Sequence, residues 1–314
     1  MIINTGLRTD IPAFYAEWFF NRISAGYVMA RSPYDPGIVY KYSLSPEVVD
    51  VFSFCTKNPI PVLKNISLLK DYGQYWFITL TPYDRDIEPG VPDKKIIMEA
   101  IRELSAKLGK NCVGWRYDPV LITEKYDEAY HRNAFETIAS GLEGAVETCV
   151  ISFMDLYGKV RRNFPEAREV PRQTQLRLGE FFVRAAARHG MVLKPCAEGN
   201  YLSRFGADCG GCLTRGTFEK ALGAPLDMPL SKGGRHGKCA CYMSCDIGAY
   251  DTCGHFCRYC YANSSAAAVR TNMKRHDPES PLITGWPGSG DIIREVKQKS
   301  WRTDYRPAVQ PELF

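Results

Sequence analysis

The sequence predicts an α/β fold: a (β/α) TIM-type barrel, complete or partial, with a cysteine-rich iron-sulfur region near its C-terminal end. Apolar runs of strand length alternate with helical stretches, and about six such units precede Cys209. Strands that are apolar throughout belong to parallel sheets covered on both faces. Eight of the twelve cysteines crowd between Cys209 and Cys260.

In chain order, MIINTG (Met1 to Gly6) reads as a strand and Ile11 to Ile23 as an aromatic-rich helix with Pro12 tolerated in its first turn. Val48 to Thr56 is the second strand, and Pro61 to Leu69 a short helix. Tyr75 to Thr81 is the third strand, followed by a helix over Lys94 to Leu108. Cys112 to Tyr117 is the fourth, with a helix over His131 to Leu142. Glu147 to Phe153 is the fifth, and Gln173 to His189 is the most periodic helix, with Gly190 as its C-terminal cap. MVLKPCAEG supplies a sixth strand. The expected organisation is a barrel over 1–200, a cluster-binding region packed on it over 201–265, and a tail wrapping the surface over 266–314.

A chain of 314 residues with 45% apolar residues can bury a substantial core. It lacks an apolar run of membrane-spanning length, and MIINTGLRTDIP has no basic segment leading into an apolar one, so a cytoplasmic protein with no membrane association is expected. In a reducing compartment clustered cysteines bind metal or do redox chemistry, whereas the isolated Cys55, Cys112 and Cys149 read as small buried side chains. The net charge of +5, spread along the chain, is compatible with an anionic substrate; nucleic acid is a possible partner that no basic stripe indicates.

Active sites of parallel α/β folds form at the carboxyl ends of the strands. Those ends offer Arg8, Thr9 and Asp10, then Thr56 and Lys57, then Thr79 and Thr81 with Glu88 beyond, then Arg116 and Asp118, then Ser152 and Asp155, and last Glu198. Any one of these could be a helix cap or a surface ion pair; their recurrence at successive strand ends is the stronger observation. Arg8, Lys57 and Arg116 suit carboxylate or phosphate groups, while Asp10, Asp118 and Glu198 suit amino or hydroxyl groups.

Cys253, Cys257 and Cys260 are spaced C-x3-C-x2-C, with Tyr259 and Tyr261 flanking the last cysteine. Three thiolates ligate three irons of a cubane and leave the fourth iron open. Zinc is the alternative, closed by a fourth ligand such as Cys245 or His255, but zinc favours paired C-x2-4-C spacings. The aromatic residue before the last cysteine makes CGHFCRYCYA resemble the cluster loop of the radical S-adenosylmethionine superfamily, in particular its spore photoproduct lyase-type branch. The resemblance implies a 4Fe-4S cluster on Cys253, Cys257 and Cys260 and bound S-adenosylmethionine, with Tyr259 packed beside them. It further implies an oxygen-sensitive enzyme fed by an external donor such as flavodoxin or ferredoxin, acting on a small-molecule or modified-macromolecule substrate. Thr56, Thr79, Glu88, Ser152 and Asn263 become candidates for holding the cofactor.

Thr56-Lys57, the ITLT strand, Glu88-Pro89 and Pro92 are similar to elements that follow the cysteine loop in that branch, yet here they precede it, a circularly permuted order. From RTDIPAFY through TKNP, IEPGVP, WRYDP and CAEG to DIGAYDTC and CYAN, the chain closely resembles an uncharacterised bacterial family, domain of unknown function family eighteen-forty-eight, which brings no established reaction. The usual glycine-rich stretch of the superfamily is replaced by Thr56-Lys57-Asn58-Pro59. Two rivals remain: a structural cluster in a nucleic-acid-binding or repair protein, and non-radical transfer from the same cofactor.

Cys239 and Cys241, with Cys196 and Cys212, could supply a second cluster or a zinc site, or no second metal at all; Cys209 competes with Cys212, and Cys245 has no assigned place. His255 could meet a sulfide or the cofactor, or be merely solvated, whereas His131, His189, His236 and His276 have no metal-like spacing.

Overall fold

The computed structural model describes residues 1–229, 241–242 and 245–303. Seven strands make the main sheet: β1 (Ile2–Asn4), β4 (Val51–Thr56), β5 (Gly73–Thr79), β6 (Val113–Val120), β7 (Thr148–Phe153), β8 (Val192–Pro195) and β9 (Cys245–Asp246). All neighbours are parallel, in the order β8-β7-β6-β5-β4-β1-β9. From β1 to β8 the chain steps across one strand at a time and never reverses, which is how a barrel is wound rather than a doubly wound sheet with its switch point. The sheet stays open: among the described residues β8 and β9 share no ladder, so no complete barrel forms. The last strand instead returns to the free edge of β1, pairing Ile3 with Cys245 and Asn4 with Asp246.

Side chains alternate between the two faces, as the two-residue period of a strand requires. Ile3, Phe52, Phe54, Trp76, Ile78, Trp115 and Ile151 face the helices. Ile2, Val51, Tyr75, Phe77 and Val150 face inward, where a barrel would fill its own interior. Here that space is filled by α8 (Arg215–Leu222), whose Phe218 is wholly buried, and by Leu213, Leu226 and Met228.

The outer layer contains α2 (Ala16–Ala25), α4 (Lys94–Leu108), α5 (Glu128–Gly141) and α7 (Arg172–Arg188). Ile97, Ala100, Ile101 and Leu104 recur at helical spacing on α4 and are buried, and Asp93 caps its N-terminus by accepting from Lys95 N. Gly190, just beyond α7, has φ 70°, the left-handed conformation expected of a helix-ending glycine. The helix expected over Ile11 to Ile23 is interrupted at Tyr15, dividing α1 (Ile11–Phe14) from α2, and the Tyr15 hydroxyl donates to Thr252 O at 2.6 Å. Two short helices, α3 (Ile60–Leu63) and α6 (Gly158–Asn163), lie in connecting segments.

A second sheet was not legible as strands. β2 (Tyr27–Arg31) and β3 (Ile38–Ser43) form an antiparallel hairpin, and β10 (Ile292–Glu295) adds to β3 in parallel. β3 and β10 are mostly half-buried or exposed and carry Arg, Lys and Tyr, so apolar content did not mark them, while β2 buries Val28, Met29 and Ala30 in a run too short to stand out. The segment after Asn263 also holds α9 (Ala266–Lys274), and Ser280 O accepts from buried Trp18 Nε1 at 2.7 Å. No helix among the described residues is long and apolar enough to cross a membrane.

His131 belongs to the core. Its Nε2–H donates to Leu121 O at 2.7 Å, and Nδ1 accepts from Tyr117 OH at 2.7 Å, so both nitrogens are satisfied by the neutral ring. Burial lowers its pKa to about 4. Between the unfolded value of ~6.5 and 4 the unfolded chain therefore binds the proton first, and stability falls as pH falls through that window, by about 3 kcal/mol in full. Urea unfolding at pH 7 and pH 5 should show about 2 kcal/mol of this loss in the wild type and less in His131→Gln.

Candidate functional site

A cavity of about 260 Å³ opens at the carboxyl ends of the main sheet, and every strand of that sheet sends residues from its end into it. Arg8, Thr9 and Asp10 come from beyond β1, Cys55, Thr56 and Lys57 from β4, and Thr79 from β5. Arg116 and Asp118 come from β6, Ser152 and Asp155 from β7, and Cys196 from β8. The loop after β9 brings Cys253, Cys257, Tyr259 and Cys260 to the same space. The sequence motif and the strand-end residues thus meet in one place.

The triplet loop is held by contacts that distant segments supply. His255 Nε2 meets Asp10 Oδ2 at 2.8 Å and its Nδ1 meets Gly90 O at 3.1 Å. Asp10 also accepts from Lys57 N at 2.8 Å and, through Oδ1, from Ala13 N at 3.1 Å, so one carboxylate joins the loop, β4 and the start of α1. Gly90 N donates to His255 O at 2.9 Å and Arg258 N to Ile87 O at 3.0 Å, clasping the loop against residues 87–90. Phe256 adopts φ 54° inside the loop, a left-handed turn between Cys253 and Cys260.

A side chain at Gly90 would stand 2.4 Å from Gly254 O and 2.9 Å from His255 Cα, both backbone atoms. Gly90→Ala should therefore displace the loop and cost about 1–3 kcal/mol. A thermal melt of Gly90→Ala against the wild type measures it.

Each cation of the site has an acidic partner. Arg8 Nε donates to Asp246 Oδ1 at 2.8 Å, and Asp246 also takes the amides of Leu7 (2.9 Å) and Gly248 (3.0 Å). Burial raises the Asp246 pKa, and Arg8 counters it. Arg116 pairs with Asp118, which Ser152 also reaches. Lys57 Nζ lies 2.7 Å from Glu88 Oε1, and Lys94 Nζ 2.5 Å from Oε2. Burial would raise the Glu88 pKa, but the two ammonium groups hold it down to about 2. Arg8, Lys57 and Arg116 are oriented by these acids, so a ligand anion would meet charges already compensated.

Three expected cofactor or catalytic residues do not line the cavity. Glu88 is sealed behind Lys57 and Tyr259, and Glu198 is occupied by Phe153 N (2.8 Å) and Tyr201 OH (3.1 Å). Asn263 braces the loop by donating to Cys253 O at 2.9 Å, while its buried Oδ1 has no hydrogen-bond partner among the described residues. Conversely, Cys55 is not an isolated core residue: it lines the cavity, and Arg116 Nη1 reaches its sulfur at 3.5 Å. The alternation of Val51, Ser53 and Cys55 along β4 is the signal that could have placed it. Asp246 and Lys94 were also missed: Asp246 meets Arg8, 238 positions away in sequence, and Lys94, in the first turn of α4, reads by itself as an exposed helix lysine although it turns back to Glu88.

The triplet thiols reach one cavity, and as a donor set they fit a soft cationic centre. Burial pushes all three thiols above their ordinary pKa, most for Cys253 and Cys257, so the thiolate form needs compensating positive charge. Lys57 supplies part of it toward Cys257. Among the described residues no group of three His, Cys, Asp or Glu side chains is placed to hold a metal ion as it stands. Cys245 packs in the outer core and His255 is held by Asp10 and Gly90, so neither is placed to close a zinc site with the triplet. Cys212 and Cys241 face the cavity from the inner side of the sheet, whereas Cys209 packs on the outer core; Cys239 lies outside the described residues.

No curated protein matches this chain. Residues 2–262 match the family described as "Domain of unknown function (DUF1848)", a stretch that takes in every strand end around the cavity and the whole cysteine triplet, and the chain belongs to that family.

Proposed function

We propose that this chain is an iron-sulfur enzyme of radical S-adenosylmethionine type, with Cys253, Cys257 and Cys260 holding a 4Fe-4S cluster. The observation that carries the reading is the arrival of all three thiols at one cavity on the carboxyl edge of a parallel sheet wound in a single direction. Counting β9 first, the strands run β9, β1, β4, β5, β6, β7, β8 across the sheet, so the triplet loop follows the first strand of the open parallel sheet. This order supports reading the motifs as permuted.

A cluster held by Cys253, Cys257 and Cys260 would supply the single electron that breaks a C–S bond of the S-adenosylmethionine sulfonium and so opens radical chemistry on a substrate. The protein's own residues do the positioning. Asp10 and His255 fix the loop, and Tyr259 packs between the triplet and Glu88. Thr9, Thr56, Thr79 and Ser152 offer hydroxyls to the cavity, and Asp118 is turned by Arg116 and Ser152. A one-electron donor of flavodoxin or ferredoxin type would feed the site from outside.

Anaerobic purification should yield iron and sulfide in equal amounts, and incubation with dithionite and S-adenosylmethionine should release 5′-deoxyadenosine. Iron-replete protein that releases none sinks the radical reading and leaves non-radical transfer or a structural cluster.

A further inference from the structure

We infer that Cys196, Cys212 and Cys241 form a second thiolate centre for a soft metal, either a zinc ion or an iron-sulfur cluster, facing the same cavity as the triplet. The inference uses other residues than the proposed function and stands or falls separately from it.

The three thiols come from three segments. Cys196 follows β8 and is fixed by its amide donating to Ile151 O at 2.7 Å. Cys212 precedes α8, and its carbonyl accepts from Thr217 Oγ1 at 3.1 Å. Cys241 is carried beside it, with Tyr242 N donating to Leu213 O at 2.7 Å. Cys212 Sγ lies 3.1 Å from Cys241 Sγ, and Cys212 also shares a hydrogen bond with Cys196.

Buried cysteines often pack as small apolar side chains, and Cys112 and Cys149 do so in the outer core. The inner group differs in what is aimed at it. The backbone amides of Cys212 and Leu213 both point at Cys241 Sγ, at 3.2 and 3.3 Å. A neutral thiol is a weak acceptor and gains little from two donors, whereas metal-bound thiolates take N–H bonds that hold and tune them. The Arg116 guanidinium adds positive charge toward Cys196 and Cys212 from across the cavity.

The spacing also bears on the ligand. Tetrahedral zinc with ~2.3 Å bonds to sulfur sets sulfurs ~3.8 Å apart, so the present pair needs to spread by less than about 1 Å to receive the ion. A cluster requires a wider opening, which the adjoining cavity provides room for.

The test begins with Cys253→Ala/Cys257→Ala/Cys260→Ala full-length protein, purified anaerobically, in which the proposed first cluster has no ligands. It should retain about one metal centre per chain, and adding Cys212→Ala and Cys241→Ala should remove it. Zinc without sulfide identifies the ion; iron with matching sulfide identifies the cluster. Folded triple variant free of metal, or a Cys212–Cys241 disulfide found by mass spectrometry after anaerobic alkylation, overturns the inference. If the triple variant does not fold, wild type is compared with Cys212→Ser/Cys241→Ser: metal lower by one centre supports the second site, and unchanged metal overturns it.

Discussion

Replacing Glu88 by alanine should cost the fold about 3–5 kcal/mol, because it strands Lys57 and Lys94, which both pair with this one fully buried carboxylate. The same change releases Tyr259, whose hydroxyl donates to Glu88 within the triplet loop, and removes the acceptor of Thr81 Oγ1 at 2.6 Å. Stability should also depend on acid. The folded pKa of Glu88 is depressed to about 2 from an ordinary 4.5, so its contribution is complete above 4.5 and is lost as pH falls toward 2. Urea denaturation of Glu88→Ala at pH 7 measures the first effect. Replacing Glu88, Lys57 and Lys94 together by apolar residues should recover much of the loss, since no unpaired charge is then buried. A loss under about 1 kcal/mol in Glu88→Ala would mean that the carboxylate is not the keystone of this ion group.

Replacing Cys257 by alanine should reduce 5′-deoxyadenosine formation to background while leaving the secondary structure intact. Cys257 is buried, lines the cavity and is the triplet thiol facing the Lys57 charge. Its removal leaves two thiols, too few to hold a cubane with one open iron. The readouts are iron and sulfide content, the visible absorption of the cluster, and the nucleoside product. Unchanged product with two remaining thiols would remove the triplet from the chemistry. Circular dichroism separates this loss from unfolding, since the loop is also secured by Asp10, Gly90 and Asn263.

The strongly periodic parts of the chain were legible as they stand. The helix expected over Lys94 to Leu108 is α4 with the same ends, and the helix expected over Gln173 to His189 is α7 displaced by one residue. Four of the six expected strands overlap their expected ranges closely, whereas β1 is only the middle three residues of its segment and β8 the early part of its own. The hairpin of β2 and β3 escaped notice because β3 carries charge and Tyr on a half-exposed face, where apolar runs give no signal, and the buried run of β2 is too short to stand out.

The sequence by itself determined the triplet Cys253, Cys257 and Cys260, the strand-end positions of Arg8, Asp10, Lys57, Arg116 and Asp118, and the alternation that makes the sheet parallel. Short-range spacing and periodicity are local properties, so they can be read along one dimension. Only the tertiary structure decided that Asp246 neutralises Arg8, that Glu88 is sealed between two lysines, and that Cys212 rather than Cys209 faces the cavity. These outcomes depend on which strands become neighbours and on which face a residue lands. Pairing β9 with β1 joins residues more than two hundred positions apart, and a register shift of one residue would send each side chain to the opposite face.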